Sequence, residues 1–181
     1  MTRDLLPLSE LTALLAPFPC KPMQIDPQWI DYNGHLNMAY YNVIFDRSLD
    51  HLFDAIGIGV NYLKERNCST MTAECHVRYI REVHLGDPLQ VTVQIIAADE
   101  KRIHYFEELR HATEGWLSAT SENMTLHIDM NVRKVAPFPT DIAERLQAIT
   151  KVHAAVPHPA DVGRRIAMPV KAATQQRASA R

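Results

Sequence analysis

Cysteine is scarce in this chain, and so are glycine, long apolar runs and any excess of one charge, and each shortage closes off a class of protein. The three cysteines, Cys20, Cys68 and Cys75, are odd in number and lack CxxC or Cys/His finger spacing. They imply neither a disulfide framework nor a metal site, and they fit a reduced, cytoplasmic setting. The six glycines form no phosphate loop of the Walker or dinucleotide type, and nothing else in the chain calls for a cofactor. No stretch approaches the ~18 apolar residues of a membrane span. Leu5, Leu6, Leu8, Leu11, Leu14 and Leu15 are interrupted by Asp4, Pro7 and Glu10 with no basic leader before them, which reads as a short helix and not a signal peptide. With 19 Lys plus Arg against 21 Asp plus Glu, no global field recruits nucleic acid or an anionic membrane.

What is present is a chain of 181 residues, one domain's worth, with a change of hydrophobic period part-way along. Residues 1–21 read as an N-terminal extension whose short helix is capped by Ser9, turns Leu11, Leu14 and Leu15 inward, and ends at Pro17, Pro19 and Pro22. Met23 to Gln28 reads as a short edge strand between prolines. Tyr41, Phe45, Leu49, Leu52 and Ile56 then recur at spacings of four or three, predicting a helix over 38–56 that stops at Gly57. From Met71 the period becomes two. Met71, Ala73, Cys75, Val77 and Tyr79 alternate with polar residues, as do Leu89, Val91, Val93 and Ile95, and two further extended segments, 103–112 and 116–130, flank the turn Thr113-Glu114-Gly115. An antiparallel sheet with one apolar face needs a cover, and the helix of 38–56 is the long apolar stripe available. The expected class is α+β, with the sheet wrapped around one long central helix across residues 22–136. A last helix within 137–155 is capped by Thr140, and residues 156–181 read as a flexible tail.

The chemistry concentrates between Trp29 and Phe45. Asp31, Asn33 and Gly34 make a turn-prone cluster, and Asn37 can cap the helix that follows. The first amides of that helix, around Met38, lack intrahelical partners and sit at the positive end of the macrodipole, where they suit a developing oxyanion. Asp31 brings a carboxylate a short loop away. By residue type alone such an aspartate serves the turn, and Asn37 serves the cap.

The run Asp31-Tyr32-Asn33-Gly34-His35-Leu36-Asn37, followed by Tyr40 and Tyr41, resembles the Asp-x-x-Gly-His-x-Asn signature of hotdog-fold acyl-CoA thioesterases of the 4-hydroxybenzoyl-CoA thioesterase type. The stretch from Tyr79 through Gly86-Asp87 to Leu89 resembles the strand-to-strand turn of the same family, and together the two cover roughly residues 22–130. The resemblance implies a hotdog fold and a homodimer or dimer of dimers with the active site between protomers. It also implies hydrolysis of an acyl-CoA, with Asp31 as general base or nucleophile and the amide of Met38 or a close neighbour as oxyanion donor. His35 either orients Asp31 or the water, or ties the loop to a backbone carbonyl.

Within the family, the Trp29-to-Tyr41 segment is similar to thioesterases of bacterial carnitine breakdown, which makes betainyl-CoA the leading substrate. Trp29, Tyr32, Tyr40 and Tyr41, with Tyr79, are the ring faces available to its quaternary ammonium. Asp46, Asp50 and Asp54 form a repelling i,i+4 row on the helix, read either as a solvated face offset by Arg47 and His51 or as part of the site. Glu74 is a further candidate carboxylate. Lys64, Arg66, Arg78, Arg81, Arg102, Arg133 and Lys134 could meet CoA phosphates, and none stands out. A noncatalytic acyl-CoA-binding module and a hotdog dehydratase are the competing functions.

Overall fold

The computed structural model describes residues 5–168. In chain order it contains α1 (Leu8–Thr12), β1 (Phe18–Pro19), a 3-10 turn (Pro27–Trp29), α2 (Met38–Ile56), α3 (Tyr62–Arg66), β2 (Cys68–Tyr79), β3 (Leu89–Ala98), β4 (Arg102–His111), β5 (Leu117–Asp129), β6 (Lys134–Val135) and α4 (Thr140–His153). The sheet is antiparallel in the order β1-β3-β4-β5-β2, with β6 added to β5. Its apolar face and α2 share one core. Ile44, Phe45, Leu52 and Ile56 of α2 are buried together with Val91, Val93 and Ile95 of β3 and Ile103 and Leu109 of β4. Each such side chain contributes about 1.5–3 kcal/mol on burial. The α+β architecture expected from the change of period, a sheet wrapped around one long helix, is therefore present.

Several local expectations are corrected. The edge strand forms at Phe18–Pro19, pairing with Val93 and Thr92, whereas Met23 makes only an isolated bridge to Leu89. Pro22 and Pro27 bound a run too short for a ladder. Thr140 is the first residue of α4, with Pro139 at the N-cap, and Ser9 lies inside α1, so neither supplies a side-chain cap. In β2 a bulge between Thr72 and Glu74 breaks the period. One extra residue reverses the faces before it, so Thr72 reaches Thr125 across the sheet at 3.4 Å and Met71, expected inside, is exposed.

α4 closes the bottom of the molecule. Ile142, Leu146 and Ile149 join the core. Arg145 donates from Nε to the Ile56 carbonyl at 2.6 Å, and from its two terminal nitrogens to Ala55 and Leu6 at 2.7 Å. Thus the orphan carbonyls at the finish of α2 receive a guanidinium from another element. His153, fully buried, accepts the Ile95 amide on Nδ1 at 2.7 Å beside a second bulge, between Ile95 and Ala97. Of the tail expected from residue 156, the described part carries an ion pair from Asp161 to Arg78, and the Gly163 amide donates to Glu122 at 2.9 Å. Residues 169–181 lie outside the described residues.

Candidate active site

The loop before α2 is built by the turn residues themselves. The Asp31 amide donates to the His35 carbonyl, and Gly34, at φ +86°, donates back to the Asp31 carbonyl, both at 3.0 Å. Glycine accepts that left-handed backbone at no steric cost. Asp31 Oδ1 accepts the Asn33 amide at 2.7 Å, so the Asx role is real, and Oδ2 is left facing His35 Nδ1 at 3.8 Å. The loop is anchored from both sides. Leu36 donates to the Val83 carbonyl and Asn37 to that of Trp29, each at 2.9 Å, while His84 Nδ1 meets the Gly34 carbonyl at 3.1 Å.

The start of α2 follows directly. Asn37 Oδ1 accepts the Ala39 amide at 3.0 Å and its carbonyl accepts that of Tyr40 at 3.0 Å. The Asn37 cap supplies no acceptor for Met38, which thus presents its N–H at the positive end of a 19-residue helix. Met38 is 65% exposed, and its carbonyl accepts the Tyr79 hydroxyl at 3.1 Å. A cavity of about 200 Å³ opens here, lined by His35, Leu36, Met38, Tyr41, Tyr79 and Arg81, among others. Asp31 is not among the lining residues and connects to the cavity through His35. His35 Nδ1 lies 3.1 Å from the Leu36 carbonyl, closer than to Asp31, so the loop-tying contact is made.

The expected aromatic residues separate into three groups. Tyr41 is buried and meets Tyr79 edge to face, ring centres 5.1 Å apart, on the cavity wall. Burial pushes its phenol above the usual range. Trp29 instead stacks on Tyr40 at 5.5 Å, and the Arg47 guanidinium lies 5.3 Å from the centre of its ring. Tyr32, at the loop tip, is almost fully exposed. No cage of all five rings forms on one chain. Glu74 lines a different cavity, on the outer face of the sheet.

Two residues near the site escaped the sequence reading. Glu82 approaches both His35, at 4.0 Å, and His84, at 3.7 Å. Their signal was present, because both belong to the Tyr79-to-Leu89 stretch that resembles the family turn. Among the basic candidates, Arg66 is paired with Asp141 at 2.7 Å, Arg78 with Asp161 and Arg102 with Asp99 at 2.7 Å. Arg81 lines the helix-start cavity, its guanidinium 4.0 Å from the Trp116 ring centre. Among the described residues no cluster of His, Cys, Asp and Glu could hold a metal ion.

Comparison with known proteins fits this geometry. Residues 25–146 match the thioesterase-like superfamily. The chain belongs to that family. It is 36% identical over 143 residues to the betainyl-CoA thioesterase of Pseudomonas aeruginosa, covering 79% of this chain and 90% of that protein. It is also 36% identical over 143 residues to the L-carnitine dehydrogenase/betainyl-CoA thioesterase of Rhizobium meliloti, of whose length the match spans 29%. A Staphylococcus aureus protein solved in complex with CoA superimposes with a TM-score of 0.78 at 27% identity, over 86% of this chain and 98% of its own. The hotdog-fold thioesterase assignment drawn from the two motifs therefore holds, and the chain is a thioester hydrolase by family. Among the described residues no helix is long and apolar enough to cross a membrane.

Proposed function

We propose that this chain hydrolyses betainyl-CoA to the free acid and CoA, in the cytoplasm, as a homodimer or dimer of dimers. The observation that carries the site is the juxtaposition at the start of α2. Met38, the first residue of the helix, lines a cavity together with His35, and the Asp31 carboxylate lies 3.8 Å from His35 Nδ1. Asp31 Oδ2 takes a proton from water as the water oxygen attacks the thioester carbon, and the carbonyl oxygen becomes an oxyanion that the Met38 amide stabilises. The tetrahedral species then expels the CoA thiolate, which leaves readily and takes up the proton that Asp31 removed from the water. His35 ties the loop that carries Asp31 to the Leu36 carbonyl, Asn37 fixes the helix start, and the Tyr79 hydroxyl braces the Met38 carbonyl. If Asp31 attacks directly, it expels the CoA thiolate to give a mixed anhydride, which water then hydrolyses to the free acid and regenerated Asp31, with the same donors in place.

The substrate reading is supported by the 36% identity to the Pseudomonas aeruginosa betainyl-CoA thioesterase. The test is a side-by-side incubation with betainyl-CoA, 4-hydroxybenzoyl-CoA and a medium-chain acyl-CoA, following free thiol. Fastest thiol release from betainyl-CoA is the expected result. Bound but intact ligand would mean a noncatalytic module, and a new double bond would mean a dehydratase.

A further inference from the structure

Along β4, between the core residues Ile103, Tyr105 and Leu109, one position breaks the apolar pattern. Glu107 is 2% exposed, and burial, with the like charge of Asp46 added, pushes its carboxyl well above the usual range. A leucine would avoid that cost. What the carboxyl does is hold Asn123 of β5. Its Oε2 accepts from Asn123 Nδ2 at 3.1 Å, and the same nitrogen donates to Ser121 Oγ at 2.8 Å. Both amide hydrogens are thereby committed, which fixes the orientation of the side chain. From Ser121 the contacts run outwards. Its hydroxyl lies 3.6 Å from Cys75 Sγ of β2, and that thiol donates to Asn42 Oδ1 of α2 at 3.9 Å. The Asn42 side chain also bonds the Tyr79 hydroxyl and favours its ionised form, as a donor does. Tyr79 in turn donates to the Met38 carbonyl at 3.1 Å.

We infer that Glu107, Asn123, Ser121, Cys75 and Asn42 are positioning residues for the hydrolysis, acting through the Tyr79 hydroxyl to hold the start of α2 in place. The inference rests on reading that helix start as the oxyanion site. The sheet register brings the members together, with Cys75 opposite Asn123 and Glu107 opposite Ser121. Because the thiol donates to Asn42, the Ser121 hydroxyl is the donor to sulfur, and every bond from Asn123 to Met38 points the same way. Bonds so aligned polarise one another. Tyr79 is itself exposed, and without this chain its hydroxyl is free to turn to water and leave the Met38 carbonyl. A shift of about 1 Å in a group that aligns a reaction can cost about 10²-fold in rate. The buried carboxyl thus gives up some stability and fixes a distant hydroxyl.

The test follows kcat and KM on whichever of the three acyl-CoA thioesters the wild-type chain cleaves fastest, so it does not depend on betainyl-CoA being the substrate. Ser121→Ala and Glu107→Leu are each expected to lower kcat about fivefold with KM within about twofold. Glu107→Gln, whose carbonyl oxygen accepts the same Asn123 hydrogen, is expected to stay within about twofold of the wild type in kcat. Tyr79→Phe is expected to lower kcat about tenfold, and Ser121→Ala added to it to change nothing further, because the chain has lost its outlet. Unchanged kcat in Ser121→Ala, or the same loss with and without the Tyr79 hydroxyl, overturns the inference. Should Glu107→Leu not fold, the Ser121→Ala comparison in the two backgrounds decides alone. Asp31→Asn in the same assay separates the two readings: full activity there removes the proposed mechanism, whereas a loss there with Ser121→Ala silent removes this inference alone.

Discussion

The two ends of α2 are treated in opposite ways. At its start Asn37 satisfies the second and third amides and leaves Met38, 65% exposed, at the edge of a cavity. At its finish Gly57 turns left-handed at φ +99°, its amide donates to Phe53 and Asp54, and Arg145 covers the carbonyls of Ala55 and Ile56. Both ends begin with unpaired backbone groups. The carbonyl end is closed by a buried cation from α4, and the amide end, in the mechanism proposed, receives a ligand that becomes negative during reaction.

The largest effect is expected at the open end. Asp31→Asn keeps the Asx bond to Asn33 and removes the carboxylate chemistry, so kcat falls about 10³-fold with little change in melting temperature. Steady-state thiol release and thermal melts on the same sample separate the two, and an active Asp31→Asn enzyme would remove Asp31 from the mechanism. At the closed end the pattern inverts. Arg145→Ala leaves three carbonyls without their donor, that of Ile56 buried, and costs about 3 kcal/mol, roughly 6–12 °C in Tm for a chain of this size, with kcat per folded molecule held within about twofold.

His153 extends the contrast to pH. Burial lowers its pKa from 6.5 to about 4, because the charged ring loses its hydration there. The unfolded chain binds that proton more readily, so the stabilisation is complete above pH 6.5 and is lost as pH falls towards 4, about 3 kcal/mol in all. Denaturant midpoints measured across that window should fall for the wild-type chain and flatten for His153→Gln. The smallest effect is at the cap. Asn37→Ala costs about 1 kcal/mol, and Asn37→Ser recovers most of it. If Asn37→Ser also recovers kcat, Asn37 acts through the helix start alone.

Much of this contrast was legible in the sequence. The apolar spacing from Tyr41 to Ile56, the Asn37 cap and the Gly57 stop are local signals, and the structure repeats them. The strands were readable from their period except where an extra residue in β2 reversed the faces at Met71. Arg145 was not readable, since a basic residue in the middle of a polar helix face looks solvated until the element it docks against is known. The cavity wall was half readable. Tyr79 could be singled out as an aromatic strand end, but its bond to the Met38 carbonyl depends on how β2 crosses α2. For the aromatic residues, closeness in sequence misled: Trp29 and Tyr40 pair with each other and Arg47, and only Tyr41 and Tyr79 reach the cavity.

The decisive measurement is a crystal structure with a betainyl-CoA analogue whose thioester sulfur is replaced by methylene. The account predicts the ketone oxygen about 3 Å from the Met38 amide, with the Asp31 carboxylate or one water on it facing the carbonyl carbon. A ketone bound elsewhere, or one at the helix start with Asp31 turned away and no water between them, would contradict it.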